Sequence, residues 1–292
     1  MTTPYLALGL SGPHLLELAG DAGLLARWDG LPLAFTVLGI DRIEAGPPAT
    51  ATLDGSAAGA ALAGRTDSGR FLVAATPQRD HPYNLARRVA SLGHLSRGRS
   101  GVVFGVRDAY AARASLGPAG DGEGAWAGAR LGDPAPLNAD TAAAAARAVR
   151  ALERSWPHDS IVADRAAGIL VRSHEITHVD LEGAYRIAGP LNAPEPAAGP
   201  SVIAWYAAES GGTVADGQPF DIVLGPGDLL RAGPDRPLAD VLAAAERLLT
   251  GRYAPAPRGP LRAALGLGVP TRWPGGRPAF PAPQPNPALG AG

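Results

Sequence analysis

The chain has 292 residues, 46% of them hydrophobic and 18% charged, with a formal net charge of −1. This composition suits one large folded domain or two small ones and excludes a disordered chain, and its near-neutrality excludes binding to nucleic acid or a membrane surface by charge alone. Cysteine is absent and all 26 basic residues are arginine, which excludes disulfides, thiolate nucleophiles, Fe–S clusters, a lysine Schiff base and a P-loop lysine.

The start, Met1-Thr2-Thr3-Pro4, lacks the basic and apolar regions of a signal peptide, and no apolar run is long enough to span a bilayer. A cytoplasmic location is expected. The run 5–10 reads as a strand, and 15–27 as a helix with Leu15, Leu18, Ala22 and Leu25 on its apolar side. A strand at 33–38, an alanine-rich helix at 53–64 and a strand at 71–76 follow. Residues 82–95 carry Leu85, Val89, Leu92 and Leu95 at helical spacing, with Pro82 in the first turn and Gly98 beyond the end. Next come a strand at 101–106, a Gly/Pro/Asp-rich loop at 116–136 and a long alanine-rich helix at 140–156. Residues 157–200 read as an irregular insertion with a hairpin. Strands at 201–207 and 220–224 precede a helix at 237–250, with Asp235 as its cap and Gly251 as its stop. The Pro/Gly-rich stretch 268–292 reads as a mobile tail. No internal repeat occurs. Alternating strands and helices imply a parallel sheet, either a barrel or a doubly wound sheet.

Three stretches invite a chemical reading. His174-Glu175-Ile176-Thr177-His178 fits the H-E-x-x-H pattern, which on a helix puts two histidines on one face for zinc. The β-branched Ile176, Thr177 and Val179 with Gly183 argue instead for a loop or hairpin, and no metal is expected. Ala208-Glu209-Ser210-Gly211-Gly212-Thr213 follows a strand and could present backbone N–H groups to a phosphate, as could any turn of that composition. Thr76-Pro77-Gln78-Arg79-Asp80-His81-Pro82-Tyr83-Asn84 joins the C-terminal end of a strand to a helix, where parallel α/β folds bind ligands. It reads equally as a binding surface, or as a loop in which Asp80 caps the helix and Tyr83 packs on a neighbour.

The segment from His81-Pro82-Tyr83-Asn84-Leu85-Ala86-Arg87-Arg88 through Ala90-Ser91-Leu92-Gly93-His94-Leu95-Ser96-Arg97-Gly98-Arg99 resembles the signature of the luciferase-like flavin-dependent monooxygenases, in the nitrilotriacetate and sulfur-compound branch. Arg150-Ala151-Leu152-Glu153-Arg154-Ser155-Trp156, the stretch from His178 to Gly189-Pro190-Leu191-Asn192, and Leu261-Arg262-Ala263-Ala264-Leu265-Gly266-Leu267 resemble further motifs of that family in the same order. The resemblance implies a TIM-type (β/α)8 barrel over 1–267, homodimeric. It implies reduced FMN from a separate flavin reductase, with F420 in some branches, and O2 and a small organic substrate as reactants. Thr76, His81 and Tyr83 would line the isoalloxazine, Ser210 and Gly211 would hold the phosphate, and Arg107 would stand in for the family's phosphate arginine, replaced here by Thr213. His81 is the candidate general acid or base, since histidine titrates near neutrality. The family's acid after its second strand is displaced to Asp41 or lost. The short stretch 224–237 leaves room for only a vestigial strand, so the barrel is expected to be incomplete. These departures support an alternative: a non-catalytic relative that binds a ligand or partners another subunit.

Overall fold

A computed structural model describes residues 5–44, 46, 49, 51–110, 136–207, 218–271 and 276–280. Strand β1 (Leu8–Leu10) leads to helices α1 (Gly12–Gly20) and α2 (Ala22–Gly30), and β2 (Thr36–Leu38) to α3 (Gly55–Ala63). Strand β3 (Phe71–Ala75) leads to α4 (Pro82–Leu95), and β4 (Ser100–Phe104) is followed by α5 (Ala139–Glu153). The insertion holds two antiparallel hairpins, β5 (Ile161–Asp164) with β6 (Ile169–Val171) and β7 (Asp180–Leu181) with β8 (Ile187–Ala188). Then come β9 (Val202–Tyr206), β10 (Ile222–Leu224), β11 (Leu230–Arg231), α6 (Leu238–Gly251) and α7 (Leu261–Ala264).

Seven strands form one parallel sheet in the order β10-β9-β4-β3-β2-β1-β11. The sheet is covered on both faces, which accounts for strands that are apolar at successive residues. Phe71 and Val73 face the helices, while Leu72 between them faces a second cluster with Ala7, Val37, Val103, Ala204 and Tyr206. Helix α4 buries Leu85, Val89 and Leu92 against the sheet, each contributing roughly 1.5–3 kcal/mol. Leu95, expected on the same face, is instead 55% exposed.

Two expectations are corrected. The single helix at 15–27 is two, because Asp21 accepts Gly23 N at 2.7 Å and Leu24 N at 3.0 Å and so starts a second helix. Asp235 does not cap α6, whose N-cap is Pro237. The vestigial strand expected near 224–237 is β11, which pairs Leu230 with Leu8. Among the described residues no ladder joins β10 to β11. Residues 225–229 connect them through the 3-10 turn Pro226–Asp228, with no helix between. The insertion then runs along α4: Tyr83 Oη donates to Pro190 O at 3.2 Å near the helix start, and His94 Nε2 meets Pro194 O at 3.0 Å near its end. Residues 276–280 attach to this insertion, with Thr177 bridging Pro278 and His178 N donating to Arg277 O at 2.7 Å.

Candidate functional site

The loops after all strands of a parallel sheet gather at its C-terminal edge. Gly39, at φ +80°, turns the chain out of β2 into the 3-10 turn Ile40–Arg42. Ile40 and Ile43 drop into the inner cluster beside Tyr206. Ile43 lies where a Cβ on Gly105 would come within 2.6 Å of it, so glycine is required for this approach. The polar residues of the turn reach to neighbouring loops. Asp41 accepts Gly12 N at 3.0 Å and Tyr110 Oη at 2.6 Å. Arg42 pairs with Asp108 at 3.0 Å and lies 4.6 Å from the Tyr110 ring centroid. Glu44 accepts Tyr206 Oη at 2.5 Å and a bond from Arg231. Gln78 Oε1 accepts Asp108 N at 3.0 Å. Burial, then the hydrogen bond to a carboxylate, pushes the Tyr110 and Tyr206 hydroxyls above their ordinary pKa.

Beside this network stands the turn from β3 into α4. Thr76 is 2% exposed, and its carbonyl accepts Arg79 N and Asp80 N. Its hydroxyl has no hydrogen-bond partner among the described residues. Asp80 is buried and paired with Arg88, beyond the first turn of α4. His81, not Asp80, caps the helix: Tyr83 N donates to His81 Nδ1 at 3.3 Å. Burial lowers the His81 pKa, so the ring is neutral, and accepting at Nδ1 places its proton on Nε2. Tyr185, from the turn between β7 and β8, meets His81 edge-on, with centroids 6.4 Å apart and planes at 85°.

The structure therefore brings Thr76, His81 and Tyr83 onto one turn, although the Tyr83 hydroxyl is engaged by Pro190. Arg107 is exposed on the adjacent loop after β4, next to the Asp108 that Gln78 anchors. Ser210 and Gly211 lie outside the described residues. His174-Glu175-Ile176-Thr177-His178 forms the 3-10 turn Ser173–Glu175 followed by a β-bridge at Thr177, which gives the two histidines no common helical face. Sequence reasoning missed Arg42, Asp108, Tyr110 and Tyr185. Their partners lie far away along the chain, and only Tyr185 sits inside a recognisable motif.

A pristinamycin IIA synthase component of Streptomyces pristinaespiralis is 28% identical over 209 residues, covering 70% of this chain and 64% of that protein. Among solved structures, a long-chain alkane monooxygenase superposes with a TM-score of 0.51 at 16% identity, over 72% of this chain and 53% of its own. The fold is that of the luciferase-like flavin monooxygenases. A riboflavin lyase solved with modified FMN and riboflavin gives 0.50 at 19% identity, over 72% and 51%. The chain thus spans about half the length of these solved structures. No family model matches it. No helix among the described residues is long and apolar enough to cross a membrane.

Proposed function

We propose that this protein binds a flavin at the C-terminal edge of its sheet and is a flavin-dependent oxidoreductase of the monooxygenase type. The observation that carries this reading is the buried Thr76 hydroxyl without a partner among the described residues, on the same strand-to-helix turn as the neutral His81, at the strand end where this fold class binds ligands. An orphaned buried donor fits a ring system rich in acceptors, such as an isoalloxazine. Reduced FMN would supply the electrons that activate O2 for oxygenation of a small organic substrate.

The chain's own residues then have separable tasks. Thr76 donates to a flavin acceptor, and His81 holds or releases a proton at Nε2. Arg107 offers an exposed guanidinium to the phosphate, with Ser210 and Gly211 as further phosphate contacts. FMN is favoured over F420, reduced flavin comes from a separate reductase, and the protein acts as a cytoplasmic homodimer. One observation favours a second reading: Ile40, Ile43 and Tyr206 already fill the sheet's inner face at the edge where a ring would enter. A non-catalytic relative would need no such entry. Fluorescence titration of purified protein with FMN, oxidised and photoreduced under anaerobic conditions, separates the two readings. Quenching at micromolar FMN is expected. Failure to bind FMN or F420 in either redox state refutes the flavin reading.

A further inference from the structure

We propose that Tyr185 is a ligand-binding residue of this site, its hydroxyl donating a hydrogen bond to an acceptor on the flavin held beside His81. This rests on the flavin reading above and assigns it a residue from outside the sheet. Tyr185 is 5% exposed, yet its hydroxyl has no hydrogen-bond partner among the described residues. Buried tyrosines ordinarily satisfy that group. Phenylalanine would fill the same space, so packing does not account for the hydroxyl.

Its position is fixed by structure. Gly189 N donates to Val179 O at 2.7 Å across the base of the β7–β8 hairpin. Val179, Ile187 and Leu191 are buried in the core cluster that contains Leu152 of α5. The Tyr83–Pro190 bond ties the hairpin's exit to α4. The ring is thereby held against His81 at the N-terminus of a fourteen-residue helix. Asp80, the nearest carboxylate along the turn, is engaged by Arg88 and makes no hydrogen bond to Tyr185. Tyr185 thus meets His81 from the insertion, and the second buried hydroxyl without a partner among the described residues, Thr76, opens the strand-to-helix turn that carries this histidine. Both are donors awaiting an acceptor, and the pyrimidine edge of a flavin carries several.

The test compares FMN binding and melting temperature in wild type and Tyr185→Phe, with Thr76→Val as a second variant. Loss of one donor to the ligand should weaken FMN about tenfold, while the flavin-free variant melts at the same or a higher temperature because an unsatisfied polar group has gone. Equal FMN affinity in wild type and Tyr185→Phe overturns the inference and leaves the flavin reading intact. A lower melting temperature of flavin-free Tyr185→Phe shows that the hydroxyl is already satisfied without ligand, and also overturns it. If wild type binds no FMN, the flavin reading itself fails and this inference with it. Thr76→Val should weaken FMN to a similar extent, and binding unchanged in both variants would remove the paired-donor geometry altogether.

Discussion

Replacing Asp108 with alanine strands a guanidinium that has little access to water. The Arg42 and Asp108 side chains are 11% and 4% exposed. Breaking a buried pair by removing one partner costs about 3–5 kcal/mol, chiefly because the remaining charge is uncompensated. Tyr110 N, which donates to Asp108 Oδ1 at 2.9 Å, loses its acceptor as well, adding about 1 kcal/mol. The contact of Arg42 with the Tyr110 ring is kept in both proteins and cancels. The net expectation for Asp108→Ala is a loss of about 4–6 kcal/mol. Asp108→Asn retains a carbonyl for Tyr110 N and Arg42 and should lose about half as much. The paired change Arg42→Met with Asp108→Leu removes both charges and should be less damaging than Asp108→Ala alone. Urea unfolding followed by tryptophan fluorescence measures all three. An Asp108→Ala variant within about 1 kcal/mol of wild type, or a paired variant as unstable as the sum of its parts, would refute the view that this network is a buried, mutually compensated unit.

Glu153 is fully buried and accepts Ser201 N at 3.1 Å and Ser201 Oγ at 2.6 Å; Glu153→Ala should cost about 3 kcal/mol in the same urea assay, and Glu153→Gln clearly less. A Cβ on Gly69 would lie 2.4 Å from the ring of the buried Trp28, so Gly69→Ala should destabilise by about 1–3 kcal/mol and shift the tryptophan emission. Burial lowers the His81 pKa, so the neutral ring favours the folded state. That contribution is complete above the unfolded value of about 6.5 and is lost as pH falls through the folded value. His81→Gln should therefore lose less stability than wild type on acidification below about pH 6.5, read as the difference between two urea-midpoint profiles.

The unit β3–α4–β4 was legible because its apolar run and helical spacing are local properties and the sheet only had to accept them. Where a single residue competes with a local pattern, the reading failed: Asp21 splits an apolar stripe that by spacing alone continues to Arg27. The site divided along the same line. Thr76 and His81 were visible because they share one strand-to-helix turn. The Arg42–Asp108 pair spans 66 positions, and Tyr185 meets His81 from another part of the chain. Such contacts exist only once the sheet has brought distant loops to one edge. The short span between Leu224 and Leu238 was visible in the sequence, but not the strand order that makes β10 and β11 the two edges of the sheet among the described residues.

Those two edges give the network at Glu44 a further meaning. Tyr206 belongs to β9, near one edge, and Arg231 to β11, the other edge, and both bind the same carboxylate. Among the described residues this carboxylate thus links β9 to β11 through side chains, where a closed barrel would use main-chain hydrogen bonds. A ladder is nearly indifferent to ionic strength, whereas a partly exposed ion pair is screened. Raised salt should therefore weaken this link, and hydrogen exchange at Leu230 N, which donates to Ala7 O, should quicken as salt rises while the amides of β3 stay protected.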